Sequence, residues 1–377
     1  MKFLHTSDLH LGKQLHNVSF LEDQRLILDQ LADLARTHEV DGVIIAGDVY
    51  QKSAPQAEAM ALFDQFLTRL TRFTRVFVIS GNHDSQQRVS YLSGLVENSG
   101  AYIARPFDGR LQTITLEDAF GPLDVHLLPF IKPVQARRYL PEADIESYED
   151  AMRAILAAAC VDPGRRNLLV CHQFITGAET SDSEEMSVGG LDHMSAGLFD
   201  MFDYVALGHI HKPQKMLRDT LRYAGSPLKY SFSEVSHPKS AVLVDMRARG
   251  DVSVTRLPLT PLHDMRLVEG DLSDVMAMPY SEDYVWVTIH DELPPPDARV
   301  SVSTVFPNML KFSVSNSKTK TDIDVMARES MEKKSVAELF RDFYRLQNND
   351  ADPGDTHMQL LEEILKQMEE SDGGNRS

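Results

Sequence analysis

The stretch Val76-Phe77-Val78-Ile79-Ser80-Gly81-Asn82-His83-Asp84 decides how this chain is read. Four β-branched and aromatic residues without a breaker predict a buried strand. The run stops on Gly81 and then shows an amide, an imidazole and a carboxylate in succession. That end of a strand is where open α/β sheets keep their sites. Taken alone, the same letters also describe an ordinary polar turn that happens to hold a histidine.

Working outward, the same event recurs. Lys2–Thr6 predicts a strand running into Ser7-Asp8-Leu9-His10, and Gly42–Ala46 predicts one that ends on Gly47-Asp48. Downstream, Asn167–Cys171 predicts a strand stopped by His172, and Asp203–Leu207 one that runs into Gly208-His209-Ile210-His211. Asp8 and His10 stand two apart on an extended turn, so both side chains point the same way, as a ligand pair for one ion would. Amphipathic helices are expected at Leu21–Arg36, Ala54–Arg72 and Ser147–Cys160, with further strands at Asp124–Leu128, Ala241–Asp245 and Val252–Leu257. Strand and helix in alternation predict an α/β fold, a sheet covered by helices. Each polar residue has an ordinary explanation as a turn former or cap. Its recurrence at five strand ends favours function. A mixed Asp, His and Asn set suits Mn²⁺, Fe²⁺ or Zn²⁺ and disfavours Ca²⁺ or a thiolate site. His5, His126 and His237 show no such grouping and read as core or surface residues.

Composition narrows the class. The 377 residues are 42% hydrophobic and 25% charged, enough for two or three domains with a proper core. No apolar run approaches the roughly 20 residues of a membrane span. Met1-Lys2-Phe3-Leu4-His5 lacks the apolar core of a signal peptide, and Cys160 with Cys171 makes no disulfide framework, so reduced thiols in a cytoplasmic protein are expected. A net charge of −18 argues against a broad basic surface that grips nucleic acid unaided. Lys212, Lys215, Arg218, Arg222 and Lys229 are either a local DNA-backbone contact or a solvated hairpin face.

The order Asp-x-His, Gly-Asp, Gly-Asn-His-Asp, His and Gly-His-x-His resembles the calcineurin-like metallophosphoesterases. Ser7 to Lys13, Ala46-Gly47-Asp48, Ser80 to Asp84, Tyr204 to His211 and Tyr223-Ala224-Gly225-Ser226-Pro227 resemble the SbcD-like nuclease subunits within that superfamily. The resemblance covers Met1 to about Glu234. It implies a two-sheet metallophosphoesterase sandwich flanked by helices, with a small α+β capping domain and a C-terminal helical hairpin. It implies two divalent ions, Mn²⁺ foremost: Asp8, His10 and His211 on the first, Asn82, His172 and His209 on the second, Asp48 bridging. His83 would then face the scissile phosphate, oriented by Asp84. Some family members carry a second histidine three residues after the bridging Asp, where this chain has Gln51. The implied activity is double-strand exonuclease and single-strand endonuclease cleavage of DNA ends and hairpins. The implied partners are DNA, an SbcC-type ATPase and a second nuclease subunit, in a heterotetramer. A different phosphoesterase, acting on nucleotides or phosphoproteins, or a non-catalytic scaffold would be the alternatives.

The implied divisions are 1–260 for the nuclease, 261–314 for the cap, 315–334 for a linker and 335–370 for the partner-binding hairpin. Ser335-Val336-Ala337-Glu338 has the form of a capping box. Val336, Leu339, Phe340, Phe343 and Leu346, then Met358, Leu361, Ile364, Leu365 and Met368, fall at helical spacing. Two short amphipathic helices beyond a polar linker either pack back on the core or, as their Met- and Phe-rich stripes favour, suit a partner groove. Trp286 is expected to anchor the core of the cap.

Overall fold

The computed structural model describes residues 1–184 and 194–316, with isolated positions between 340 and 361. The linker and helical hairpin expected at 315–334 and 335–370 therefore lie almost wholly outside the described residues. The chain divides into two compact units. One comprises Met1–Val268, Pro279–Val287 and Ser303–Phe312. The other comprises Glu269–Met278, Thr288–Val302 and the chain from Ser313. In the second, Asp271 precedes the helix Leu272–Met276, and the Leu272 amide donates to Asp291 Oδ2 at 2.7 Å.

The first unit holds two six-stranded sheets. One runs, edge to edge, Val252–Pro258, Ser240–Met246, Lys2–Thr6, Gly42–Ala46, Arg75–Ile79 and Ala101–Ile103. The other runs Gln214–Lys215, Leu221–Tyr223, Tyr204–Gly208, Arg166–His172, Gly121–Leu128 and Gln112–Asp118. Lys2–Thr6, Gly42–Ala46 and Arg75–Ile79 are parallel neighbours, as are Arg166–His172 and Tyr204–Gly208. Parallel pairing puts the five polar strand ends on common edges.

Alternation along the strands explains the layers, because successive side chains leave a strand on opposite faces. Phe3, Ile44, Phe77 and Ile79 point from the first sheet into one apolar cluster with Val125, Leu127, Leu168, Val170 and Ala206 of the second. Their neighbours Leu4, Val43, Ile45, Val76 and Val78 face outward, against Ile27 and Leu31 of helix Leu21–Thr37 and Phe63 and Phe66 of helix Ala57–Leu70. On the second sheet Leu169, Cys171, Val205 and Leu207 pack with Ile155 and Leu156 of helix Tyr148–Ala159. Two sheets are buried on both faces, which is why their strands read as continuous apolar runs.

The helices and central strands fall where the sequence places them, with small shifts. The second helix begins at Ala57, after an extended Gln56 (φ −70°, ψ 153°) that serves as its N-cap. Ser147 caps the third: its Oγ accepts from the Asp150 amide at 3.1 Å, and Asp150 Oδ2 accepts from the Ser147 amide at 2.9 Å. Two edge strands were not expected, Ala101–Ile103 and Gln112–Asp118. The first is apolar but only three residues long, and the second has one buried residue, Leu116, and no apolar run. Among the described residues no helix is long and apolar enough to cross a membrane.

Candidate metal centre

Three loops of the first sheet form a single frame. The Asp8 amide donates to the Gly47 carbonyl at 3.0 Å, His10 to Asp48 at 2.9 Å and Leu11 to Val49 at 2.9 Å. Asp84 accepts from the amides of Gly81 (2.9 Å), Tyr50 (2.9 Å) and Val49 (3.0 Å), which ties the third loop to the second. Ser7 Oγ donates to Asp8 Oδ2 at 2.5 Å. The frame carries backbone strain: Asp8 (φ 53°), His10 (45°), Asp48 (48°) and His209 (103°) are non-glycine residues at positive φ. Such positions cost about 1–3 kcal/mol and persist where the surroundings over-determine them, commonly at functional sites.

The second sheet is pressed onto this frame. A Cβ at Gly208 would stand 1.9 Å from the Ala46 carbonyl oxygen, and one at Gly81 would stand 2.1 Å from Asp48 Oδ1. Only glycine permits either approach. The closeness lets His172 Nδ1 sit 2.8 Å from the Ala46 carbonyl and the His209 amide donate to Asp8 Oδ1 at 3.0 Å.

The polar residues of the five strand ends now converge. Asp8, His10 and His211 form one group with ligand atoms within 4.8 Å of one another, and His10 Nε2 lies 3.1 Å from His211 Nε2. Asn82 Oδ1 lies 3.0 Å from His172 Nε2 and 3.1 Å from His209 Nδ1. Asp48 Oδ2 stands between the groups, 3.6 Å from His10 Nε2 and 3.3 Å from His172 Nε2. His83 also comes close: its ring centre is 4.8 Å from that of His10, its amide donates to Asp48 Oδ1 at 2.9 Å, and its Nδ1 is 3.3 Å from the Gln51 carbonyl.

This donor set fits divalent cations. It is an array of lone pairs facing one another in a buried space. His172 Nδ1 is turned to a carbonyl, so its Nε2 faces only the acceptors of Asn82 and Asp48. His10 Nδ1 is buried with no hydrogen-bond partner. Such an arrangement needs positive charge in its middle. The protonation balance reports the same demand. Burial opposes ionisation of Asp48, but His172 and His10 hold its carboxyl well below the usual carboxylate range. Burial would lower His172, yet Asp48 and Asp8 push it up to about 9. Burial and the neighbouring His172 push His209 down to about 3, leaving it neutral and free to ligate. Burial and the Asp48 charge push Asp84 up to about 7, against three amides that favour its charged form.

Other expected features resolve differently. Lys212 pairs with Glu179, Lys215 with Asp219 (3.1 Å), Arg218 with Asp200 (3.2 Å) and Lys229 with Asp264 (2.8 Å), while Arg222 is buried. Each of the four exposed or part-exposed cations has a carboxylate partner. Trp286 is half-buried between Phe232, whose ring centre is 5.7 Å away, and Lys311 Nζ, 3.6 Å over its face.

Supporting residues escaped the sequence reading. Gln24, buried on the apolar face of helix Leu21–Thr37, donates through Nε2 to the carbonyls of Leu9 (3.1 Å) and His10 (2.8 Å). Glu234 is buried against His211, with Nδ1 and Oε1 3.1 Å apart. A polar residue on an apolar helical stripe is a visible flag for Gln24. Nothing in spacing marks Glu234.

The chain is similar to proteins of known family. Residues 1–213 match the family described as calcineurin-like phosphoesterase, and residues 261–348 the type 5 capsule protein repressor C-terminal domain. The D subunit of nuclease SbcCD from Staphylococcus epidermidis is 32% identical over 324 residues, 83% of this chain and 85% of the relative. Among solved structures, TT1561 of Thermus thermophilus has a TM-score of 0.38 at 13% identity, covering 68% of this chain and 98% of its own. A dimetal phosphatase from Danio rerio has a TM-score of 0.37 at 10% identity, covering 70% and 98%.

Proposed function

The chain belongs to the calcineurin-like phosphoesterases, in their SbcD branch, and from that premise we propose a metal-dependent DNA nuclease that works with an SbcC-type ATPase on DNA ends and hairpins. The observation that carries this reading is the convergence of seven donors into two groups with Asp48 between them. Asp8, His10 and His211 would hold the first divalent ion, Asn82, His172 and His209 the second, and Asp48 both. Mn²⁺ is our choice of metal, from the mixed oxygen and imidazole donors. When bound, such a pair activates water and neutralises charge on a phosphoryl group.

The chain's own residues do the rest. The Gln51 carbonyl accepts from His83 Nδ1–H, and the doubly protonated form of a ring so held would donate its Nε2–H to a phosphate oxygen or a departing oxygen. Asp84 acts by positioning, holding the loops of Asp48 and His83 together through three amides. Gln51 can donate a hydrogen bond but brings no charge. The hairpin cations are paired with carboxylates in this acidic chain, so the ions would be the main local positive charge a DNA backbone meets. The deciding assay supplies Mn²⁺ and offers single-stranded, blunt and hairpin DNA beside p-nitrophenyl phosphate. Cleavage of the DNA substrates is expected. Hydrolysis of the small ester alone would favour another phosphoesterase.

Two partner proposals accompany it. The ATPase would dock on the C-terminal segment, and truncation after Asp322 is expected to abolish co-purification while leaving metal content intact. A second copy would pack at the groove lined by Met60 and Tyr91, both exposed. Tyr91→Asp should then give a monomer in analytical ultracentrifugation.

A further inference from the structure

One buried ion pair beside the centre has no place in the mechanism above. Glu234 is fully buried. Its Oε1 faces His211 Nδ1 at 3.1 Å and also receives Ser183 Oγ. Its Oε2 takes Lys239 Nζ at 2.5 Å and Ser226 Oγ at 3.3 Å. Lys239, itself buried, donates as well to the His211 carbonyl at 2.9 Å and to Ser226 Oγ at 2.7 Å. On the other side Glu184 Oε1 accepts from the His211 amide at 2.7 Å. The ring, the amide and the carbonyl of His211 are thus each held by a charged side chain. Replacing a buried ion pair by packed apolar residues is often no less stable, so stability alone is a weak account of this one.

Resting on the reading of His211 as a ligand, we propose that Glu234 is a positioning residue for the first ion. It accepts the Nδ1–H of His211, which fixes that tautomer and directs the Nε2 lone pair toward Asp8 and His10. Lys239 cancels the charge of Glu234, so the orienting acceptor adds no net charge beside the site. Outer partners of this kind typically govern metal affinity by about 10–100-fold.

The test compares two neutral pairs in the full-length chain. Glu234→Gln with Lys239→Met keeps an acceptor for Nδ1–H, whereas Glu234→Leu with Lys239→Met removes it. Mn²⁺ titration calorimetry should show the Leu variant losing roughly 10–100-fold affinity at one of two sites, with the Gln variant close to wild type. Equal affinity in all three proteins overturns the proposal, and so does an equal loss in both variants, which would assign the effect to the missing Lys239 contact with the His211 carbonyl or to the ion pair as such, not to the acceptor for Nδ1–H. A second reading needs no mutation of the pair. In ¹⁵N-histidine protein loaded with Zn²⁺, long-range proton–nitrogen correlation should show His211 protonated at Nδ1, and protonation at Nε2 overturns the proposal even if the Leu variant fails to fold. His211→Asn assigns that signal and serves as the control. If it keeps both ions at wild-type affinity, the ligand reading of His211 has failed, and this proposal falls with it.

Discussion

The two sheets bring different chemistry to one seam. The first supplies every oxygen donor, Asp8, Asp48 and Asn82, together with His10 and His83. The second supplies imidazoles only, His172, His209 and His211. The loops of the first are zipped to one another by main-chain and Asp84 hydrogen bonds. The second takes its bearings from the first, through the Ala46 carbonyl and the Asp8 carboxylate. The difference teaches that the carboxylates are organised within one sheet, whereas the centre exists only where both sheets meet. Ions that bind this seam should therefore stabilise the packing of the two sheets as well as the loops.

The strongest way to break the comparison is at its middle. Asp48→Ala should lower occupancy of both sites and reduce cleavage roughly 10³-fold or more, as when one member of an interacting catalytic unit is lost. Elemental analysis that still finds two ions per chain would contradict the bridging position. His83→Gln sharpens the division within the first sheet. It should keep both ions and DNA binding while turnover falls by about 10²–10⁴. If metal content falls with it, His83 belongs among the ligands.

Gly208→Ala tests the seam by packing alone. Its Cβ would meet the Ala46 carbonyl oxygen at 1.9 Å and His172 Nδ1 at 2.7 Å, and neither the Ala46 backbone nor the buried His172 ring can readily give way. A loss of about 3 kcal/mol in urea unfolding of the metal-free protein is expected. Gly94→Ala, with nothing within 4 Å, should change stability by less than about 0.5 kcal/mol. Equal effects would mean that close approach of the sheets is not what Gly208 serves.

A smaller effect than that of Gly208→Ala belongs to the opposite end of the seam. There Arg166 of the second sheet pairs with Asp118 at 2.6 Å and donates to the Met246 carbonyl of the first at 3.3 Å. Burial opposes the charge on Asp118, but Arg166 holds its carboxyl down at about 2. A carboxylate depressed in the folded state stabilises above its unfolded pKa, near 4, and that contribution disappears as pH falls toward 2. Asp118→Asn should therefore cost about 1–2 kcal/mol at pH 7, converge with wild type near pH 2 and leave cleavage unchanged. An activity loss would show that the two ends of the seam are coupled.

The sequence was most legible where local rules apply. Buried strands between helices appear as short apolar runs, and a polar residue just past such a run is visible whatever the fold. The five strand ends, the three long helices and the full set of Asp8, His10, Asp48, Asn82, His83, Asp84, His172, His209 and His211 could be named on that basis, and the resemblance divided them into roles. Edge strands such as Gln112–Asp118 were illegible because half their surface is solvent and no apolar run forms.

What tertiary structure alone decided is which partner each side chain meets. Asp84 looks like a companion of His83 in sequence, yet its carboxylate binds backbone amides of Gly81, Val49 and Tyr50. The basic residues after His211 look like a DNA contact, yet most are paired with local acidic partners. Glu234 stands 23 residues beyond His211 and reaches its ring only because Lys239, Ser226 and Ser183 enclose it. Residue type and strand position are set by nearest neighbours along the chain. Hydrogen-bond partnership across a sheet seam depends on ångström-scale approach of segments far apart in sequence, and a linear pattern carries no record of that.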